Sequence, residues 1–237
     1  GAMTLPSIGA GEAHAWWCDL RGIAAERIAA WGQLLDPAER ERAAAFRFAE
    51  DRTRWAAGRG ALRELAARYL GASPAELRFE YGPAGKPELP DAPLRFSLSR
   101  SKDAVLIAFT SSGEIGADLE RVRAGYDGSD IAGKFFAPAE VASLAALPEG
   151  TRSEAFFRVW TAKEAYLKGR GDGLGFPLDA FEVRADGVGP RRLRAHRDPD
   201  EVGRWWLVPL TPAAGYVAAL AVTGEPPALR LFEAGRP

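Results

Sequence analysis

The chain has 237 residues, of which 47% are apolar, 27% charged and 10% aromatic, so it can bury the core of one compact unit or two modest ones and is no disordered tail. Lys and Arg number 31 against 32 Asp and Glu, a net charge of -1; the bulk balance points to neither nucleic acid nor an anionic membrane, and any polyanion must be met by a local cluster. Cys18 is the only cysteine and His14 and His196 the only histidines, which excludes an internal disulfide, a thiolate cluster and a multi-histidine zinc site, and leaves carboxylate oxygens and a hard cation such as Mg2+ for any metal.

In chain order, Gly1-Ala2 ahead of Met3 reads as a cloning remnant, and no signal-peptide pattern follows it. The longest apolar runs, 105–109 and 217–222, fall far short of the about 20 residues that cross a bilayer, so a soluble, cytoplasmic protein is expected. The first third reads as helix. Asp36-Pro37 starts a run through Phe48, and a second run, 50–70, spaces Trp55, Leu62, Leu65, Ala66 and Tyr69 for one apolar face before Gly71 ends it. From there to Glu120 the texture changes to short runs divided by Gly and Pro, which predict strands at 77–81, 94–98, 104–110 and 114–120. The order then repeats, with helices at 137–147 and 153–168 and strands at 181–184, 191–195, 205–210 and 216–222. Phe46-Arg47-Phe48-Ala49-Glu50 echoes Phe135-Phe136-Ala137-Pro138-Ala139-Glu140 ahead of the long helices. The predicted fold class is α+β, a pseudo-twofold repeat of two similar lobes, residues 1–121 and 122–237, with the active site in the cleft between them. Beyond about Pro190 the residues, Trp205 and Trp206 included, read only as packing.

The sharpest local feature is Gly116-Ala117-Asp118-Leu119-Glu120. On a strand, Asp118 and Glu120 project from one face about 6 to 7 Å apart, with Ala117 and Leu119 packed behind them. A solvated strand end is the plain reading of that pair, and a chemical reading needs a partner. Trp160, Glu164 and Lys168 supply one, since i, i+4, i+8 spacing puts them on a single helix face, although Glu164 and Lys168 alone would also pass for a surface ion pair. Only five of the basic residues are lysines (Lys86, Lys102, Lys134, Lys163 and Lys168), so a retained lysine suggests a need for a compact ammonium. Gly82-Pro83-Ala84-Gly85-Lys86-Pro87 is a rigid turn presenting Lys86, and Ser97-Leu98-Ser99-Arg100-Ser101 sets hydroxyls and a guanidinium at a strand end. Arg40, Arg42, Arg47, Arg52 and Arg54 make the early helices locally basic. Three acids able to hold Mg2+ beside several phosphate donors would together constitute a diphosphate site.

Gly85-Lys86-Pro87, Ser97 to Ser101, Gly116 to Glu120, Phe135-Phe136 and Trp160-Thr161-Ala162-Lys163-Glu164-Ala165-Tyr166-Leu167-Lys168, in that order and spacing, resemble the successive motifs of the 4′-phosphopantetheinyl transferases of the surfactin-synthetase-activating (Sfp) type. The resemblance runs from about Pro37 to about Val183, and Gly173 to Leu178 resembles the segment that follows the helix motif. It implies an enzyme that moves the phosphopantetheine arm of coenzyme A onto a serine hydroxyl of an acyl or peptidyl carrier protein, releasing 3′,5′-ADP. Such carriers serve fatty-acid, polyketide or nonribosomal peptide synthesis. Asp118, Glu120 and Glu164 would hold Mg2+; Glu164 or a bound water would take the serine proton, with Glu120 and Lys163 also among the catalytic set. Lys168, also in the catalytic set, would contact the diphosphate and stabilise the leaving phosphate. Gly85, Lys86 and Ser99 match positions at the nucleotide end, and Arg42 matches a basic position near the 3′-phosphate. The length matches the double-lobed branch, which implies a monomer.

The family usually carries Ser-His-Ser where this chain has Ser99-Arg100-Ser101. Arg100 is therefore expected to bind coenzyme A phosphate without exchanging a proton near neutral pH. Trp55 and Glu39 also stand where relatives often have small or basic residues. The carrier is expected to dock along 122–136, where Gly125, Gly128 and Gly133 loosen the chain and Phe135 and Phe136 offer apolar contact if they are not core. Two rival readings are a non-catalytic module binding coenzyme A or a carrier, and a Mg2+-dependent nucleotide diphosphate hydrolase.

Overall fold

A computed structural model of the chain describes residues 7–184 and 186–235, the side chain of Leu174 apart; Gly1, Ala2 and Met3 lie outside the described residues. The chain enters through a strand, β1 (Glu12–Asp19), where helix was expected. Residues 13–18 are all buried, so this strand lacks the alternation that reveals a half-exposed one. Then come α1 (Ala25–Gln33), α2 (Pro37–Ala44) and α3 (Ala49–Leu70). Asp36 and Glu39 close a reciprocal capping box on α2: the Asp36 carboxylate accepts from the Glu39 N–H at 2.8 Å, and the Glu39 carboxylate from the Asp36 N–H at 3.0 Å. Glu50 and Asp51 favour the first turn of α3, and Gly71, left-handed at φ 62°, ends it.

A small hairpin of β2 (Glu80–Tyr81) and β3 (Pro87–Glu88) leads into β4 (Arg95–Ser101), β5 (Ala104–Thr110) and β6 (Ile115–Arg121). The second half runs through α4 (Ser129–Phe135), α5 (Pro138–Ala145), α6 (Glu149–Arg170), β7 (Phe181–Glu182), β8 (Arg191–Arg192), β9 (Ala195–His196), α7 (Pro199–Arg204), β10 (Trp205–Leu210), β11 (Tyr216–Thr223) and β12 (Ala228–Glu233). The strands expected at 77–81 and 191–195 are thus much shorter or divided, and β12 was not foreseen.

Two four-stranded sheets result, ordered β12-β1-β5-β4 and β6-β11-β10-β8, giving the α+β class. Ala13, Ala15, Trp17, Leu106, Ile115, Leu119 and Leu220 belong to a core shared by the two sheets, where Trp17 meets Tyr216 edge to face at 4.9 Å. The opposite face of the first sheet buries Trp16, Cys18, Ile107 and Phe109 against α3, and that of the second buries Val217, Ala219 and Ala221 against α6. The sheets do not divide the chain at residue 121. β6 pairs antiparallel with β11, and β12 pairs parallel with β1 from Glu12↔Ala228 to Trp17↔Glu233, covering backbone groups that β1 would otherwise expose at an edge. Among the described residues no helix is long and apolar enough to cross a membrane.

Candidate functional site

Along β6, Ile115, Ala117 and Leu119 enter the core between the sheets, which by the two-residue period turns Gly116, Asp118 and Glu120 towards α6. The approach of α6 is very close. A Cβ on Gly116 would lie 1.9 Å from the Ala165 carbonyl oxygen and 2.3 Å from the Gly169 nitrogen, so only glycine fits. At this contact Lys168 Nζ lies 2.6 Å from Asp118 Oδ1, which also accepts the Ser99 hydroxyl at 3.2 Å. Asp118 Oδ2 is buried and has no hydrogen-bond partner.

The carboxyls here are held above their ordinary range. Burial raises Asp118, with Lys168 opposing. Burial and then the charge of Asp118 raise Glu164, and the same two causes push Glu120 up to about 7, with the Lys168 ammonium opposing in both. The charge of Asp118 thus bears on both glutamates. Among the described residues no three acidic, histidine or cysteine side chains stand at mutual ligating distance, so the trio is a gathering of carboxylates rather than a closed cage. Its chemistry nonetheless fits a hard divalent cation: oxygen donors alone, one buried oxygen without a partner, and acids destabilised by each other's charge.

From Glu164 and Lys168 a cavity of about 320 Å³ extends to Arg42, Trp55, Arg59 and Arg100, with Gly85, Lys86 and the apolar side chains of Leu62, Phe96 and Leu98 along its walls. At that far end three guanidiniums surround one indole: Arg59, Arg42 and Arg100 lie 5.1, 5.6 and 5.6 Å from the Trp55 ring centre. Glu39 and the Tyr81 hydroxyl hold Arg59. Arg100 packs on α3 where Gly58 leaves room, and its Nε is buried without a partner. Burial, followed by the charges of Arg59 and Arg42, pushes the Arg100 guanidinium down to about 9. An arriving phosphate would relieve that repulsion and supply the missing acceptor. The cavity thus joins a carboxylate-lysine end to a guanidinium end, an arrangement suited to an elongated polyphosphate ligand.

Asp118, Glu120, Glu164, Lys168, Arg42, Gly85, Lys86 and Arg100 are therefore gathered at this cavity or its acidic end. Lys86 reaches it differently from what was expected: its ammonium donates to the Ile115 carbonyl at 2.9 Å, tying the β2–β3 loop to the start of β6. Ser99 is buried, and its hydroxyl is spent within the protein. Lys163, expected in the catalytic set, is a correction. It is fully buried on the other side of α6, its Nζ 2.7 Å from Glu140 Oε1 and donating to the carbonyls of Leu178 (2.8 Å) and Phe181 (2.7 Å), so its three protons are committed. The Lys163 ammonium fastens α5 and the β7 segment to α6. Phe136 is core and stacks with Phe156, whereas Phe135 is 52% exposed. Sequence reasoning missed Arg59, whose signal was its i, i+4 relation to Trp55.

The sequence is also similar to known proteins. The sequence profile of the 4′-phosphopantetheinyl transferase superfamily matches residues 114–221. The chain is 39% identical over 194 residues to the 4′-phosphopantetheinyl transferase HetI of Nostoc sp., covering 80% of this chain and 79% of that protein. It is 32% identical over 165 residues to the 4′-phosphopantetheinyl transferase Sfp of Bacillus subtilis, covering 69% and 72%. Over 121 residues it is 36% identical to the 4′-phosphopantetheinyl transferase AcpT of Escherichia coli K12, covering 51% and 58%.

Proposed function

Because the chain belongs to the 4′-phosphopantetheinyl transferase superfamily, as an Sfp-like enzyme, we propose that it transfers the phosphopantetheine arm of coenzyme A to a serine of an apo carrier protein, with Mg2+ bound, and releases 3′,5′-ADP. The observation that carries this reading is the single cavity with Glu164 and Lys168 at one end and Arg42, Arg59 and Arg100 at the other. Coenzyme A has a diphosphate and a separate phosphomonoester on its ribose, two anionic groups that such a cavity can serve at once. Arg42, Arg59 and Arg100, braced on Trp55, take the phosphomonoester. Lys168 takes the diphosphate and stays with the leaving phosphate as its charge grows. Glu164, half-buried and raised by its surroundings, is placed to accept the serine proton as the hydroxyl attacks phosphorus. Asp118, Glu120 and Glu164 would hold Mg2+, which supplies charge neutralisation at the transferring and departing oxygens. Lys86 shapes the wall through its bond to Ile115 rather than by carrying charge to the ligand.

For the carrier we propose the surface 122–136, where the exposed Phe135 follows Lys134 at the end of α4; acidic helical carriers would meet both an apolar anchor and positive charge there. The same reading treats the chain as a cytoplasmic monomer of two similar lobes, residues 1–121 and 122–237, with β6 and β12 exchanged between their sheets. Supporting the lobes, α3 and α6 each span 22 residues and end on left-handed Gly71 and Gly171. Each also sets a buried cation, Arg63 or Lys163, on the buried glutamate of the preceding helix, Glu39 or Glu140. Glu64, following Arg63 as Glu164 follows Lys163, is spent on Arg27 and Trp31, so α3 does not repeat the acidic end that α6 provides.

The test is to incubate the protein with coenzyme A, Mg2+ and an apo carrier and to weigh the carrier. A mass gain of one phosphopantetheine on the carrier serine is expected, abolished in Glu164→Gln while that variant still unfolds cooperatively. Coenzyme A binding without a mass gain, or its hydrolysis without a carrier, would overturn the reading.

A further inference from the structure

Ser97, Ser99 and Ser101 recur at the two-residue period of β4, on the face that meets the edge of β6. Their hydroxyls accept the backbone N–H groups of Ala117 at 3.0 Å, Leu119 at 3.1 Å and Arg121 at 3.1 Å. Side-chain oxygens thus do what the carbonyls of a paired strand would do, and the two sheets are stitched where their backbones are not paired. Of the three, Ser99 has a second attachment. It donates its only hydroxyl proton to Asp118 Oδ1 at 3.2 Å and lies 3.3 Å from Lys168 Nζ, so one donor and two lone pairs are all in use. Both neighbours of Asp118 therefore converge on the same oxygen. Oδ1 takes the hydroxyl and the ammonium, and Oδ2, buried and partnerless, is the oxygen left to ligate.

We propose that Ser99 is a positioning residue: anchored by the Leu119 N–H, its hydroxyl clamps Oδ1 of Asp118 and so presents Oδ2 to a divalent cation. This rests on the metal role given to Asp118 above, and it replaces the expectation that the Ser99 side chain contacts the nucleotide. A carboxylate free to rotate would spend part of its time with neither oxygen in place, and loss of such an outer partner typically weakens a metal site roughly 10- to 100-fold. Ser97 supplies the internal control, because it makes the same kind of N–H contact and, among the described residues, shares no hydrogen bond with a carboxylate.

The experiment uses the full chain and two binding measurements without carrier: Mn2+ uptake in the presence of coenzyme A, read from the electron paramagnetic resonance of free Mn2+, and coenzyme A affinity in EDTA by calorimetry. Ser99→Ala should weaken Mn2+ roughly 10- to 100-fold and leave coenzyme A affinity in EDTA unchanged. Ser99→Thr, which keeps the hydroxyl on a residue suited to strands, should restore Mn2+ uptake, and Ser97→Ala should keep it. If the alanine variant does not fold, Ser99→Cys, a weak donor of similar size, takes its place. Undiminished Mn2+ uptake by Ser99→Ala, an equal loss in Ser97→Ala, no rescue by threonine, or weakened coenzyme A binding in EDTA would each overturn the proposal. A wild-type chain that takes up no Mn2+ beside coenzyme A would instead overturn the metal role of the three acids, and this inference with it.

Discussion

Arg100 and Glu120 are charged side chains held where charge is costly, and each makes a measurable expectation. Arg100 is buried beside Arg42 and Arg59 with an unpartnered Nε, so its natural complement is a phosphate. Hydrogen bonds to charged groups contribute about 1.5–3 kcal/mol, so Arg100→Ala should weaken coenzyme A binding roughly 10- to 150-fold with little change in kcat; lost turnover at unchanged affinity would argue for a catalytic role instead. Glu120 concerns stability without metal. Its folded carboxyl titrates at about 7 against 4.5 for the free group, because burial and Asp118 disfavour its anion. A raised carboxyl favours the folded state fully below about pH 4.5, and that contribution is lost as pH climbs through about 7. In EDTA, Tm should therefore fall between pH 5 and about 7.5 more steeply for the wild type than for Glu120→Gln, by calorimetry across that range.

Between elements, the site depends on one helix lying almost on a strand. Gly116→Ala puts a methyl group inside the contact of β6 with α6. Backbone atoms cannot yield as side chains do, so destabilisation at or above the usual 1–3 kcal/mol of overpacking is expected in urea unfolding, together with loss of transfer, since Glu164 and Lys168 travel with the helix. On the opposite side of α6, Lys163→Met strands the buried Glu140 carboxylate and should cost about 3–5 kcal/mol. Adding Glu140→Gln removes the orphaned charge and should recover much of that. Activity should follow the folded fraction in both variants; a Lys163→Met protein that is stable and inactive would return this lysine to the chemistry. The lysine shows why the motif was only partly legible. Spacing correctly placed Glu164 and Lys168 on one helix face, but adjacent Lys163 points about 100° away around the helix, and nothing in the spacing says that Glu140 awaits it.

For the whole molecule, the helices and strands that carry the cleft were legible because each has a one-sided apolar pattern or a clear stop, as α3 does at Gly71 and β6 between Gly113 and Glu120. β1 escaped because it is buried on both sides, and β12 because its meaning lies in a partner across nearly the whole chain. The cationic end of the cavity was half visible: Arg42 and Arg100 were singled out, while their support on Trp55 needed three dimensions. Deleting residues 228–235 should leave β1 with an open edge, and a lowered Tm with a tendency to aggregate is expected by scattering during heating. The parallel union of β1 with β12 also sets a timetable. While the ribosome is still making the middle of the protein, the strand that emerged early has only one side satisfied, and it must wait for a partner that is translated late. Nascent chains stalled before residue 228 should accordingly be cut by protease in their opening sheet, and shielded once that stretch has left the exit tunnel.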